Sequence, residues 1–130
     1  MLDKVKYWFD LADEDLSVGK YLLKGNKLLY TAFMCHQTIE KALKAIISRD
    51  CAEGEIPPKI HHLPKLAERA ELYSLMSDEQ QRFIKELNPY HIEARYPEYK
   101  KQMADSLSVE ICKEIYAKTE VLLCWIKERL

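Results

Sequence analysis

Leu2, Val5, Phe9, Ala12, Leu16 and Leu23 recur at steps of three, four and seven residues, with Asp3, Asp10, Asp13 and Lys20 between them. An α-helix turns once per 3.6 residues, so this spacing gathers the apolar side chains into one stripe and leaves the charges outside it. Such a stripe is stable only when another element covers it. Similar patterns recur down the chain, and no Asn-Gly or Asp-Gly pair separates alternating runs, so β-hairpins have no support. The expected fold is all-α.

The breaks between stripes set the expected elements. Lys24-Gly25-Asn26-Lys27 ends the first helix, with Gly25 expected in the left-handed conformation of a helix end. A second helix is predicted from Leu28 to Ser48, antiparallel to the first because the turn is short. Gly54, Pro57, Pro58 and Pro64 make residues 51–64 a loop. A shorter helix follows from about Leu63, with Pro64 in its first turn, where a missing N–H costs nothing. Ser77 and Gln80 form a capping-box pattern that opens another helix, which Pro89 kinks or ends. Residues 88–105 read as irregular or broken helix. A last long helix runs from about Ser106 to the C-terminus and carries the i,i+4 pair Glu114–Lys118.

The expectation is therefore an antiparallel up-and-down helical bundle, one domain over residues 1–130, with three long helices and one or two short ones. Phe9, Leu16, Phe33, Leu43, Ile111 and Ile115 are its expected core. Tyr7, Trp8, Leu122, Leu123 and Trp125 widen the apolar surface of the terminal helices beyond one core's need, which predicts a C2 homodimer through the first or last helix.

Composition narrows the function. A net charge of −1 gives no global attraction to nucleic acid or anionic membrane, so any anion site is local. No apolar run approaches the ~20 residues of a membrane span, and no signal-peptide pattern opens the chain. Cys35, Cys51, Cys112 and Cys124 form no C-x-x-C pair and are expected as reduced packing thiols of a cytoplasmic protein.

Three stretches in order carry a resemblance. They are Gln37-x-x-Glu40-Lys41-x-Leu43-Lys44-Ala45, then Pro58 with His61 or His62 and Leu63, then Ala94-Arg95-Tyr96-Pro97. Together with the aromatic first helix they cover essentially the whole chain and resemble the HEPN domain family, in particular its stand-alone prokaryotic branch related to the C-terminal domain of sacsin. The resemblance implies a helical bundle, commonly dimeric, that often acts with a minimal nucleotidyltransferase in toxin–antitoxin-like systems. Nucleotide or RNA binding is also implied, with no cofactor. HEPN ribonucleases typically carry an arginine, four to six residues, then a histidine. None of His36, His61, His62 and His91 stands at that distance after an arginine.

The expected binding set is Gln37, Glu40, Lys41, Lys44, Arg95 and Tyr96. Arg95 offers a planar fork of donors suited to phosphate, and Tyr96 a ring for stacking. A second reading makes Arg95 a strut paired with Glu40 and Tyr96 a core aromatic. Adjacent His61 and His62 do not suit one tetrahedral metal ion and read as capping or hydrogen-bonding groups. The catalytic alternative is a metal-independent ribonuclease using Arg95 with His91 or His62.

Overall fold

The computed structural model describes residues 2–91 and 97–130. α1 (Asp3–Lys24) and α2 (Leu28–Arg49) form the expected antiparallel hairpin. Their turn differs in one residue from expectation. Gly25 stays at φ −87°, and Asn26 takes the left-handed position at φ 59°. The Asn26 amide donates to the Leu23 carbonyl at 3.1 Å and the Lys27 amide to the Leu22 carbonyl at 2.8 Å. That pair of bonds is a Schellman closure, in which asparagine tolerates the left-handed backbone by local hydrogen bonding.

The chain continues through α3 (Leu63–Arg69), a 3₁₀ turn at Tyr73–Leu75, α4 (Asp78–Leu87), a second 3₁₀ turn at Asn88–His91, α5 (Pro97–Asp105) and α6 (Val109–Lys127). Three long helices match expectation; three short ones, rather than one or two, lie among the described residues. α3 begins with His62 as N-cap, whose Nδ1 accepts from the Lys65 amide at 3.2 Å, and Pro64 sits in its first turn. Ser77 and Gln80 complete both bonds of the capping box of α4. The stretch 88–105, expected as irregular or broken helix, is helical in two separate pieces, Asn88–His91 and Pro97–Asp105. α6 starts at Val109, just after the expected start near Ser106, and Ser108 caps it by accepting from the Ile111 amide.

α2 lies at the centre. It packs chiefly on α1 and on its other side against α6, while α3 and the turn Asn88–His91 also meet it. Gly19 lets α1 lie close against α2: a Cβ there would sit 3.4 Å from Met34 Cβ. The core gathers Val5 and Phe9 of α1, Ile39, Leu43 and Ile46 of α2, and Ile126 of α6.

Of the expected core, Phe9 and Leu43 are buried, Leu16, Phe33 and Ile115 are half-buried, and Ile111 is 43% exposed. Ile111 shares the α6 stripe of Ile115 and Leu122, but it stands in the first turn of the helix, where it lines an open cleft beside Leu87 and Tyr90, while Cys112, Leu122 and Ile126 are buried. Leu122 and Leu123, expected to extend an interface, belong to the core. Trp8 and Trp125 are half-buried against that core, and Tyr7 is exposed. All four cysteines are free thiols, and burial pushes the Cys35 thiol up to about 12, which suits a packing group. Among the described residues, no helix is long and apolar enough to cross a membrane.

Candidate functional site

The middle of α2 carries three polar side chains at four-residue steps, His36, Glu40 and Lys44, all buried. Helical geometry stacks them on one side. Burying a carboxylate is costly unless charge and hydrogen bonds compensate it. Glu40, 4% exposed, receives both. Lys44 Nζ donates to its Oε2 at 3.0 Å, and His61 Nδ1 donates to its Oε1 at 2.9 Å. His61 comes from the loop before α3, so the contact closes that loop onto α2.

His36 completes the inner wall. Its Nε2–H donates to the His61 carbonyl at 3.1 Å, which leaves Nδ1 as the unprotonated nitrogen. That Nδ1 lies 3.8 Å from Glu40 Oε1, beyond hydrogen-bond reach, and is buried with no partner among the described residues. Burial first, then the neighbouring His91, pushes the His36 imidazole down to about 3, so it is neutral at physiological pH.

His91 forms the rim. Its Nδ1–H donates to the Asn88 carbonyl at 2.9 Å, and its ring lies nearly parallel to that of His61, centroids 6.0 Å apart. The His36 ring is 5.4 Å away. Asn88 Oδ1 accepts from the Leu63 amide at 2.9 Å, which fastens the start of α3 to this turn. His61 and His91 thus both commit Nδ1 and leave Nε2 uncommitted among the described residues. The His61 side chain is 57% exposed, so the ring reaches solvent.

The expected site residues divide. Glu40 and Lys44 are in the cluster, though Lys44 is held by Glu40 and lies 5.9 Å from the Trp8 ring centroid. Lys41 faces α1, where its ammonium pairs with Asp15. Gln37 is half-buried beside His36. His91 is in the cluster, and His62 is engaged as the α3 cap. Arg95 and Tyr96 lie outside the described residues, as does the expected Arg95–Glu40 pair. The described residue nearest them in sequence on the N-terminal side is His91 itself.

His36 and His61 were not in the expected set. The His36–Glu40 step is legible in the chain, but nothing local shows a loop histidine 21 positions on returning to Glu40. Among the described residues, no group of three His, Cys, Asp or Glu side chains is placed to hold a metal ion.

The fold has solved relatives. TT1696 from Thermus thermophilus superposes with a TM-score of 0.80 at 19% identity, covering 99% of this chain and 100% of that one. ST0689, an archaeal HEPN homologue, superposes with a TM-score of 0.71 at 20% identity, covering 98% of each. No curated protein matches. The HEPN domain model matches residues 5–130, which include α2, the His61 loop and the Asn88–His91 turn. The chain belongs to the HEPN domain family.

Proposed function

We propose that this chain is a non-catalytic HEPN module that binds the phosphate of a nucleotide or RNA, acting as a homodimer beside a minimal nucleotidyltransferase in a toxin–antitoxin-like system. One observation carries the ligand part: a buried carboxylate cluster that reaches solvent through His61. A helical core gains nothing by holding His36, Glu40 and Lys44 where apolar groups fit, so the cluster calls for a role beyond packing. Lys44 and His61 occupy the two oxygens of Glu40 through Nζ and Nδ1, which turns the His61 Nε2 edge away from Glu40, where it can donate to an anion whenever the ring carries both protons. Arg95 and Tyr96, a few residues after His91, supply the fork and ring that phosphate and base require.

A second reading has its own observation. Two near-parallel imidazoles with pinned Nδ1, and with no bond from Nε2 to any described residue, form a pair suited to general acid–base transfer, with Glu40 orienting His61. In a metal-independent ribonuclease built on this chain, His61 with His91 would move protons and Arg95 would hold the phosphate. His62, as a helix cap, is less available.

Calorimetry with a nucleoside triphosphate, alongside an RNA cleavage assay, tests both. Arg95→Lys keeps the charge and removes the fork, and His61→Asn removes the ring edge that carries Nε2. Each is expected to weaken binding by about tenfold or more while the thermal transition stays near wild type. Wild type that binds no nucleotide ends the binding reading. Cleavage abolished by His61→Asn makes the protein an enzyme instead. Light scattering that shows only monomer at micromolar concentration removes the homodimer.

A further inference from the structure

α4 and α6 touch sparingly and leave an open groove between them. Its wide part encloses about 680 Å³, floored by buried Phe83 and Leu122 and walled by Leu75, Val121 and Trp125. A narrower part of about 170 Å³ shares Phe83 and Lys118 with it and runs on to Ile111 and Ile115. Leu75 and Val121 are 62% and 68% exposed. Single exposed apolar side chains are ordinary on any surface, but an aligned set along a groove marks a contact site.

The alignment has the dimensions of a helix. Ile111, Ile115, Lys118, Leu122 and Trp125 follow one another at steps of four, three, four and three along α6. That is the seam a helix presents to a neighbour packed along it. At a rise of 1.5 Å per residue, the seam runs about 21 Å, or about four turns. The carboxylates of Glu79, Glu86 and Glu114 line the groove against one ammonium, Lys118, which is itself bound to Glu114 at 3.1 Å. The lining is therefore apolar at its floor and acidic at its rim.

We infer that this groove docks a basic amphipathic helix of a partner protein, its apolar stripe laid between α4 and α6 and its Lys or Arg flanks facing Glu79 and Glu86. A second copy of this chain is a poorer occupant. A two-fold contact through the groove turns the same carboxylates on one another. The outward apolar stripe of α1, Tyr7, Val18 and Tyr21, has no Lys or Arg between residues 8 and 17 to meet the acidic rim, and Asp10 and Asp13 there already pair with Lys6 and Lys127. None of His36, Glu40, Lys44, His61 and His91 lines the groove, so the inference does not rest on the ligand reading above.

Two fluorescent helical peptides of about 18 residues test it, sharing one leucine stripe and differing only in Lys or Glu flanks. Anisotropy is measured on the full chain at about 0.05 M and about 0.5 M salt. The Lys-flanked peptide is expected to bind saturably, to weaken at high salt and to outcompete the Glu-flanked one. Val121→Asp and Leu75→Asp, exposed positions on opposite walls, should each weaken it about tenfold or more. Glu79→Lys combined with Glu86→Lys should transfer the preference to the Glu-flanked peptide. Both Asp variants are checked by thermal melting, and if one fails to fold the other decides. No saturable binding of the Lys-flanked peptide, equal binding of both peptides, or indifference to the Asp substitutions overturns the inference. So does wild-type self-association that Val121→Asp abolishes, because the groove then belongs to a second copy.

Discussion

α2 and α6 are both long, apolar-rich helices, and each departs from the inside–outside rule in the opposite direction. α2 takes His36, Glu40 and Lys44 into the core, whereas α6 leaves Ile111 and Val121 facing water. Position in the bundle separates them. α2 is covered by α1, α6, α3 and the Asn88–His91 turn, so most of its residues are buried, although Tyr30 near its start is exposed. α6 lies at the margin, and its contact with α4 is sparse. Polar groups retained at the centre and apolar groups retained at the edge both cost stability compared with the obvious replacements. Such departures are where a bundle that only had to fold would differ from one that also binds.

The largest expected effect lies in the α2 cluster. Glu40→Ala leaves Lys44 buried without its carboxylate and His61 without its acceptor, and should cost about 3–5 kcal/mol in urea unfolding. A loss below about 1 kcal/mol would mean that the cluster is solvated and that the contrast with α6 is shallow. Next comes Leu43→Ala on α2, at about 2–5 kcal/mol, set against Ile111→Ala on α6, at about 0.5 kcal/mol or less. Equal costs at the two positions would break the comparison, for instance because a partner chain covers Ile111.

The third test uses pH. In the folded protein His36 takes up a proton only near pH 3, while in the unfolded chain it does so near 6.5. Between those values the unfolded state binds more protons, so stability falls as pH falls through 6.5, by up to about 1.4 kcal/mol per pH unit. The groups facing His36 are Glu40 and Lys44 on its own helix, His61 from the loop and His91 from the 3₁₀ turn. His36→Gln keeps a donor for the His61 carbonyl but does not titrate. Its deficit relative to wild type should shrink steadily from pH 7 to pH 4.5. A constant deficit would show that His36 stays neutral in both states or is open to water. The smallest effect belongs to α6: Lys118→Ala removes a solvated pair with Glu114 and should change stability by about 0.5 kcal/mol or less.

Local chemistry made much of the fold legible. The three long helices, the Ser77–Gln80 capping box and the placing of Pro64 each depend on residues within one or two helical turns. Where expectation slipped, the deciding contact was distant or the local choice was close to even. Gly25 and Asn26 both tolerate the left-handed backbone, and the closing bonds to Leu22 and Leu23 selected Asn26. Ile111 and Cys112 are neighbours on α6, and only the docking of α6 on α2 turned Cys112 inward, its thiol 3.6 Å from the Leu28 carbonyl.

The candidate site was half legible for the same reason. Glu40 and Lys44 stand one helical turn apart, so the chain by itself placed them together on α2. It did not determine what else they meet. Lys41 found Asp15 on α1, 26 positions earlier, and Glu40 found His61, 21 positions later. Periodicity determined which residues share a helix side, because backbone geometry repeats every few residues regardless of surroundings. Charge pairing, the neutral state of His36 and the open groove beside α6 were decided only when the helices packed. Burial and electrostatic partners depend on distances in space, and those are created by the tertiary fold.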